Sequence, residues 1–233
     1  MQRDKDDKMN SGDLIFIDYV GRIKDTGEIF DLTKEDVAKR EKIHNEKVKY
    51  KPIPVVVDGN FVVNGLNEAL KEMKVGEKKT VEIIPEKAFG PRLPDLIKLI
   101  PEARFKEQDI SVSPGSFVTI NRLRGKIQSV DGGRVKVDFN HPLAGKILVY
   151  DIEIKSEVKD QKEKVAAIFY YFTGIENEDA EIKIAGDTAE IELKKKYDIA
   201  GDTKQIIASV ALRWDKTLKK VKFSEMFEMQ KPE

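Results

Sequence analysis

Apolar and polar positions change rhythm several times along this chain, and each change predicts an element. Leu14, Ile15, Phe16, Ile17 and Tyr19 put apolar side chains on both faces of an extended segment, so a strand starts near Asp13. Residues 1–12 before it read as a polar lead-in. Asp25-Thr26-Gly27 between Ile23 and Ile29-Phe30 is a hairpin turn, because glycine accepts positive φ at little cost. Residues 32–51 are polar and lysine-rich, a surface excursion with a short helical stretch around 34–42. Ile53 to Val57 resumes the sheet. Leu66, Ala69, Leu70 and Met73 recur at helical spacing, which predicts one amphipathic helix over 64–73 that stops before Gly76. Thr80 to Ile84 is a strand closed by Pro85, which has no backbone donor.

The rhythm changes again after Pro91. Pro94-Asp95-Leu96-Ile97 opens a short helix, Phe117 to Leu123 suits a strand, and 126–139 reads as two strands about Asp131-Gly132-Gly133. Tyr150, Ile152 and Ile154 alternate with Asp151 and Glu153, the period of a half-buried strand that closes the first core. Beyond Ser156, Val165, Ile168, Phe169 and Phe172 mark a helix, and strands at 181–184 and 189–193 flank Gly186-Asp187. A helix carrying Ile207, Val210, Ala211 and Trp214 precedes a last strand over 221–229. The segment 157–233 is therefore expected to form its own α-β-β-α-β unit.

Composition narrows the chemistry. Lys plus Arg and Asp plus Glu both total 42, so no net charge draws the chain to nucleic acid or an anionic membrane surface. With 40% hydrophobic and 36% charged residues there is apolar material for cores beneath a densely charged surface. The absence of cysteine removes disulfides, thiolate nucleophiles and Cys-ligated metals. His44 and His141 are the only histidines and stand far apart, so neither a metal site nor a catalytic triad is expected, and both read as solvated loop residues. No apolar run has the length of a membrane span, and the charged first residues lack the core of a signal peptide. A soluble, cytoplasmic protein without membrane or cofactor is the expectation.

Four ordered segments carry a resemblance: Asp18-Tyr19-Val20-Gly21, Gly27-Glu28-Ile29-Phe30-Asp31, Phe61-Val62-Val63-Asn64-Gly65-Leu66-Asn67-Glu68-Ala69-Leu70, and Met73-Lys74-Val75-Gly76-Glu77 leading to Pro85-Glu86-Lys87-Ala88-Phe89-Gly90. Together with the closing strand 149–154, they resemble the FKBP-type peptidyl-prolyl cis-trans isomerases over roughly residues 11–156. The interruption after Phe89-Gly90, which rejoins at Asn140-His141-Pro142, is similar to the SlyD branch, and the extra C-terminal part to its long archaeal form. The resemblance implies an α+β fold: an antiparallel half-barrel sheet wrapped on one helix (13–91 and 138–156), a small β-rich flap inserted at 92–137, and the C-terminal domain at 157–233. It implies catalytic roles for Tyr19, Asp31, Phe89 and Tyr150, a substrate pocket of Phe30, Ile53, Val62, Val63 and Leu66, and no metal or cofactor.

Taken singly these residues are ordinary. Asp31 reads as a turn or cap residue, Tyr19 as a strand residue, Leu66, Val62 and Val63 as core, and Phe89 as core or site alike. Leu66 and Phe89 also depart from the family pattern, which often places a tryptophan and a tyrosine there. The implied partners are unfolded or proline-containing polypeptides. A flap of this size cannot hide all its apolar residues, which implies a surface for unfolded chains. An alternative of another class is a holdase or adaptor that keeps the fold without efficient isomerisation. The C-terminal unit, with Met226, Phe227 and Met229 in its last strand, is expected to leave one sheet face incompletely polar, so a homodimer through it is a further expectation.

Overall fold

The computed structural model describes residues 8–225. Along the chain come β1 (Leu14–Ile23), β2 (Ile29–Leu32), α1 (Glu35–Arg40), β3 (Ile53–Val56), α2 (Asn64–Lys71), β4 (Lys78–Ile83), β5 (Ile97–Pro101), α3 (Ala103–Lys106), β6 (Phe117–Ile120), β7 (Leu123–Asp131), β8 (Arg134–Asp138), β9 (Leu148–Val158), α4 (Gln161–Thr173), β10 (Ala180–Ala185), β11 (Thr188–Leu193), α5 (Gly201–Trp214) and β12 (Lys220–Glu225). The fold is α+β. Two compact units form: one from the chain up to Arg22, Gly27–Val81 and the chain from Val149 on, the other from Ile23–Thr26 and Glu82–Leu148.

The first sheet runs β2-β1-β9-β4, with β3 also paired to β1. β1 lies inside it, which is why Leu14, Ile15 and Ile17 can all be buried on a strand that is apolar on both faces. β3 runs antiparallel to β1 with Leu14 opposite Val56 and Ile17 opposite Ile53. β2 pairs with the other end of β1, and the register slips between Gly21 and Arg22, a bulge. On α2 the expected apolar stripe turns inward: Leu66 and Leu70 are buried, as is Met73 just beyond the helix.

In the C-terminal segment, Asp160 caps α4 by accepting from the Glu163 N–H at 2.9 Å, and Gly174 ends it in the left-handed conformation at φ 67°. Strands β10, β11 and β12 form a three-stranded sheet. β11 and β12 are parallel, as a crossover through α5 requires. Ile182, Ile191 and Leu193 are buried along with Val165, Ile168 and Phe169 of α4. On the alternate strand positions Lys183 pairs with Glu192 and Lys222 with Glu190, so among the described residues that face is a lattice of charge. Met226, Phe227 and Met229, on which the expectation of an incompletely polar face rested, lie outside the described residues.

The second unit holds a sheet in the order β5-β8-β7-β6. Its core gathers Phe105 of α3, Val118, Ile127, Val135 and Val137. Gly125 is glycine for a packing reason: a Cβ there would stand 2.5 Å from a Val137 methyl and 2.8 Å from the Phe139 ring. The predicted strand over 117–123 is in fact two. It breaks at Asn121 and Arg122, whose φ values of 49° and 67° make the left-handed pair a tight hairpin needs. β5 and α3 have no counterpart in the expected pattern. Ile97 to Ile100 extends the apolar start after Pro94 as an edge strand on β8, and Pro101 is tolerated because it ends that edge.

Candidate active site

Pairing of β1 with β2 puts Gly21 opposite Asp31, and this register carries the site. The Tyr19 hydroxyl donates to Asp31 Oδ2 at 2.6 Å. Tyr19 is buried whereas Asp31 is exposed, so the phenol reaches up from the core to a carboxylate at the surface. Buried Thr33 locks the register: its backbone N–H donates to the Tyr19 carbonyl at 3.0 Å, and its Oγ1 accepts from the Tyr19 N–H at 2.8 Å while donating to Asp18 Oδ1 at 2.8 Å. Two of these bonds hold the Tyr19 backbone, and the third ties Thr33 to Asp18.

Aromatic rings surround this pair. The Tyr150 ring from β9 lies 5.8 Å from that of Tyr19, and Phe30 meets Tyr150 edge-on at 5.6 Å. Gly21 makes the approach possible, since a Cβ there would sit 2.7 Å from Phe30 and 3.1 Å from Tyr150. Burial holds the Tyr19 hydroxyl well above its ordinary value, and the negative charge of Asp31 adds to the effect. The same two causes, burial first, raise Tyr150. Both phenols therefore stay neutral donors at any physiological pH.

The remaining predicted residues are placed as follows. Ile53 is half-buried opposite Ile17. Val62 and Val63 are half-buried just before α2, and Val63 caps the helix, its carbonyl accepting from the Leu66 and Asn67 N–H groups at 3.0 Å each. Leu66 is 2% exposed, so its side chain is core whatever else it touches. The loop from β3 to α2 is held by Asn67, which accepts from the Asp58 N–H at 2.8 Å, and by a Lys71–Asp58 ion pair at 2.9 Å. Phe89 belongs to the second unit, where its ring stacks on His141 at 4.1 Å with the planes 1° apart. His141 is exposed and its Nδ1 accepts from the Leu143 N–H, and His44 bonds Glu35 at 3.1 Å and stacks on Tyr50. Among the described residues no three His, Asp or Glu side chains gather as metal ligands. No helix of the described residues is long and apolar enough to cross a membrane.

Thr33 and the spatial role of Gly21 escaped the sequence reading. A threonine at the end of a short strand carries no periodic signal, and a glycine's missing side chain points to nothing until its neighbours are known.

The five-stranded sheet with a short amphipathic helix between β3 and β4, interrupted in the chain by a small β unit, is FKBP-like. Comparison with known proteins agrees. A family model described as FKBP26, IF domain, matches residues 98–143. The short-type peptidyl-prolyl cis-trans isomerase of Methanocaldococcus jannaschii is 36% identical over 147 residues, which is 63% of this chain and 92% of that protein. A probable FKBP-type 16 kDa peptidyl-prolyl cis-trans isomerase of Pseudomonas fluorescens is 41% identical over 104 residues, 42% of this chain and 67% of that protein. The FKBP-type isomerase SlyD of Helicobacter pylori is 25% identical over 127 residues, 53% of this chain and 68% of that protein. The chain belongs to the FKBP-type peptidyl-prolyl cis-trans isomerase family.

Proposed function

We propose that this chain catalyses rotation about Xaa-Pro bonds in unfolded or partly folded polypeptides at the cluster of Tyr19, Phe30, Asp31 and Tyr150, and that the inserted flap recruits the client. The observation that carries the reading is the 2.6 Å Tyr19–Asp31 bond set among the rings of Phe30 and Tyr150. Rotation about the prolyl amide is slow because it breaks resonance, at a cost of about 18–20 kcal/mol. No bond is cleaved, so no nucleophile is required. A twisted amide has lost conjugation, and a dry wall of rings and aliphatic side chains favours it over the planar form, which water solvates better. In this assignment Phe30 and Tyr150, with Ile53, Val62 and Val63, seat the proline, and Leu66 supports them from the core. Asp31 faces the rotating carbonyl, Tyr19 holds Asp31 in place, and the backbone at Val63 anchors the peptide.

A second reading, a holdase with little isomerase activity, is favoured by the exposure of Leu93, Leu96, Leu99, Phe117 and Leu123 in the second unit, Leu99 reaching 62%. A protease-coupled assay on an Ala-Leu-Pro-Phe peptide separates the two. Turnover by the wild type that falls at least about tenfold in Asp31→Ala and Tyr19→Phe, with melting temperatures kept, is the outcome expected for interactions made in the transition state. Tyr19→Phe is preferred to alanine because Tyr19 is 8% exposed and truncation would leave a cavity. Wild type that suppresses aggregation without turnover would leave the holdase.

A further inference from the structure

Helix α4 lies outside the stretch that resembles the isomerases, yet it reaches the candidate site. The Tyr171 hydroxyl donates to the Phe61 carbonyl at 2.8 Å. Its ring lies 4.4 Å from that of Phe61, and Phe172 completes an aromatic triangle at 5.7 Å from Phe61 and 5.1 Å from Tyr171. Phe61 is buried, whereas Tyr171 and Phe172 are half-buried, so the triangle has one face toward solvent. Phe61 leads directly into Val62 and Val63, two of the residues assigned to the proline pocket and its peptide anchor.

The loop that carries them needs holding. Asp58 and Asn60 both take left-handed conformations, at φ 61° and 59°, which aspartate and asparagine tolerate but do not rigidify. The Asn67 and Lys71 bonds tie down Asp58 at the start of the loop. Tyr171 ties down its end at Phe61. The docking of α4 there is not casual: Lys51 stands over the Tyr170 ring at 3.9 Å, Lys49 and Lys51 both pair with Glu176 at 2.9 Å, and Gly12 leaves room for the Trp214 ring of α5, 3.0 Å from where a Cβ would be.

We propose that Tyr171 is a positioning residue of the isomerase site, supplied by the C-terminal segment, which fixes the Phe61-Val62-Val63 backbone for the peptide to bind. The inference rests on the isomerase reading above. Electrostatics support the proximity: the Tyr171 hydroxyl is raised above its ordinary value by burial and then by the charge of Asp31. An anchor for the peptide backbone acts on ground state and transition state alike, so its loss raises KM and spares kcat. General loosening of the fold would instead lower the active fraction and so kcat.

Tyr171→Phe removes one hydroxyl and keeps the ring, and Tyr170→Phe, one residue earlier on the same helix, is the control. Both are compared with wild type in the full chain by steady-state kinetics on a proline tetrapeptide and by the amide chemical shifts of Val62 and Val63. Tyr171→Phe should raise KM about fivefold, the effect of losing one ordinary hydrogen bond, with kcat kept and both amides shifted. Tyr170→Phe should leave all three unchanged. An active wild type whose KM and Val62 and Val63 amides are the same in Tyr171→Phe, or move equally in Tyr170→Phe, overturns the proposal. Wild type without turnover would instead overturn the isomerase reading, and this proposal with it.

Discussion

Gly21 is where the smallest side chain has the largest consequence. Phe30 and Tyr150 close over it, and a methyl group at 2.7 Å from one ring and 3.1 Å from the other has no room. Gly21→Ala should therefore push the rings apart, cost about 1–3 kcal/mol of stability as overpacking does, and lower isomerase turnover more than a substitution of equal stability cost elsewhere. Urea unfolding and tetrapeptide turnover on the same preparation check both parts. A second residue-scale expectation concerns pH. Tyr19 and Tyr150 are held above the ordinary tyrosine value of 10.0 by burial and by Asp31. The unfolded chain then gives up these protons at lower pH than the folded one, so the full stability is present below pH 10.0 and declines as pH rises through the unfolded value toward the folded ones. Melting temperatures recorded from about pH 8 to about pH 11 should show that decline, and it should shrink in Tyr19→Phe. At this scale the order of the motifs pointed to Tyr19 and Asp31, which the structure joins by a 2.6 Å hydrogen bond. That order could not disclose Thr33 or Tyr171, because their bonds join segments with no shared period.

Among the elements, those whose pattern is strong were legible and those whose pattern is short were not. The helix α2 follows from Leu66, Leu70 and Met73, and the hairpin of β7 and β8 from Gly132-Gly133, at φ 52° and 71°. The break at Asn121-Arg122 was hidden because Leu123 continues the apolar run of β6 on the far side of a turn containing no glycine. β5 was hidden because an edge strand of five residues borrows its pattern from β8. The flap also yields a prediction. Its entry and exit are tied where the Leu93 N–H donates to Asn140 Oδ1 at 2.8 Å, where Asn140 Nδ2 donates back to the Leu93 carbonyl at 3.0 Å, and where the Gly145 N–H donates to the Gly90 carbonyl at 2.8 Å. Its core gathers Phe105, Val118, Ile127, Val135 and Val137, with Phe139 just beyond the insert packed against it. Replacing 92–137 with a short Gly-containing loop should thus leave a folded protein whose tetrapeptide turnover stays within about twofold, while its acceleration of proline-limited refolding of a whole protein falls by about tenfold or more, as loss of a tethered client site would cause. Equal losses on the two substrates would count against a recruiting flap.

Over the whole molecule, charge and apolar surface are divided unevenly. The C-terminal sheet presents Lys183, Glu190, Glu192 and Lys222 as paired charges, whereas the second unit leaves Leu99 and Leu123 exposed and Phe117 half-exposed beneath Arg124. Scattered exposed leucines are ordinary, but several in one small unit suit contact with unfolded chain better than with water. The isomerase reading depends on none of this. It depends on whether Xaa-Pro bonds turn faster in the presence of the chain, and magnetisation exchange between the cis and trans resonances of a proline peptide measures that rotation itself, with no protease in the tube. With the chain at about one-hundredth of the peptide concentration, the exchange time should fall from the uncatalysed tens to hundreds of seconds to about a second or less, and Asp31→Ala should return it most of the way to the uncatalysed value. An exchange rate that the wild-type chain leaves unchanged would contradict the account.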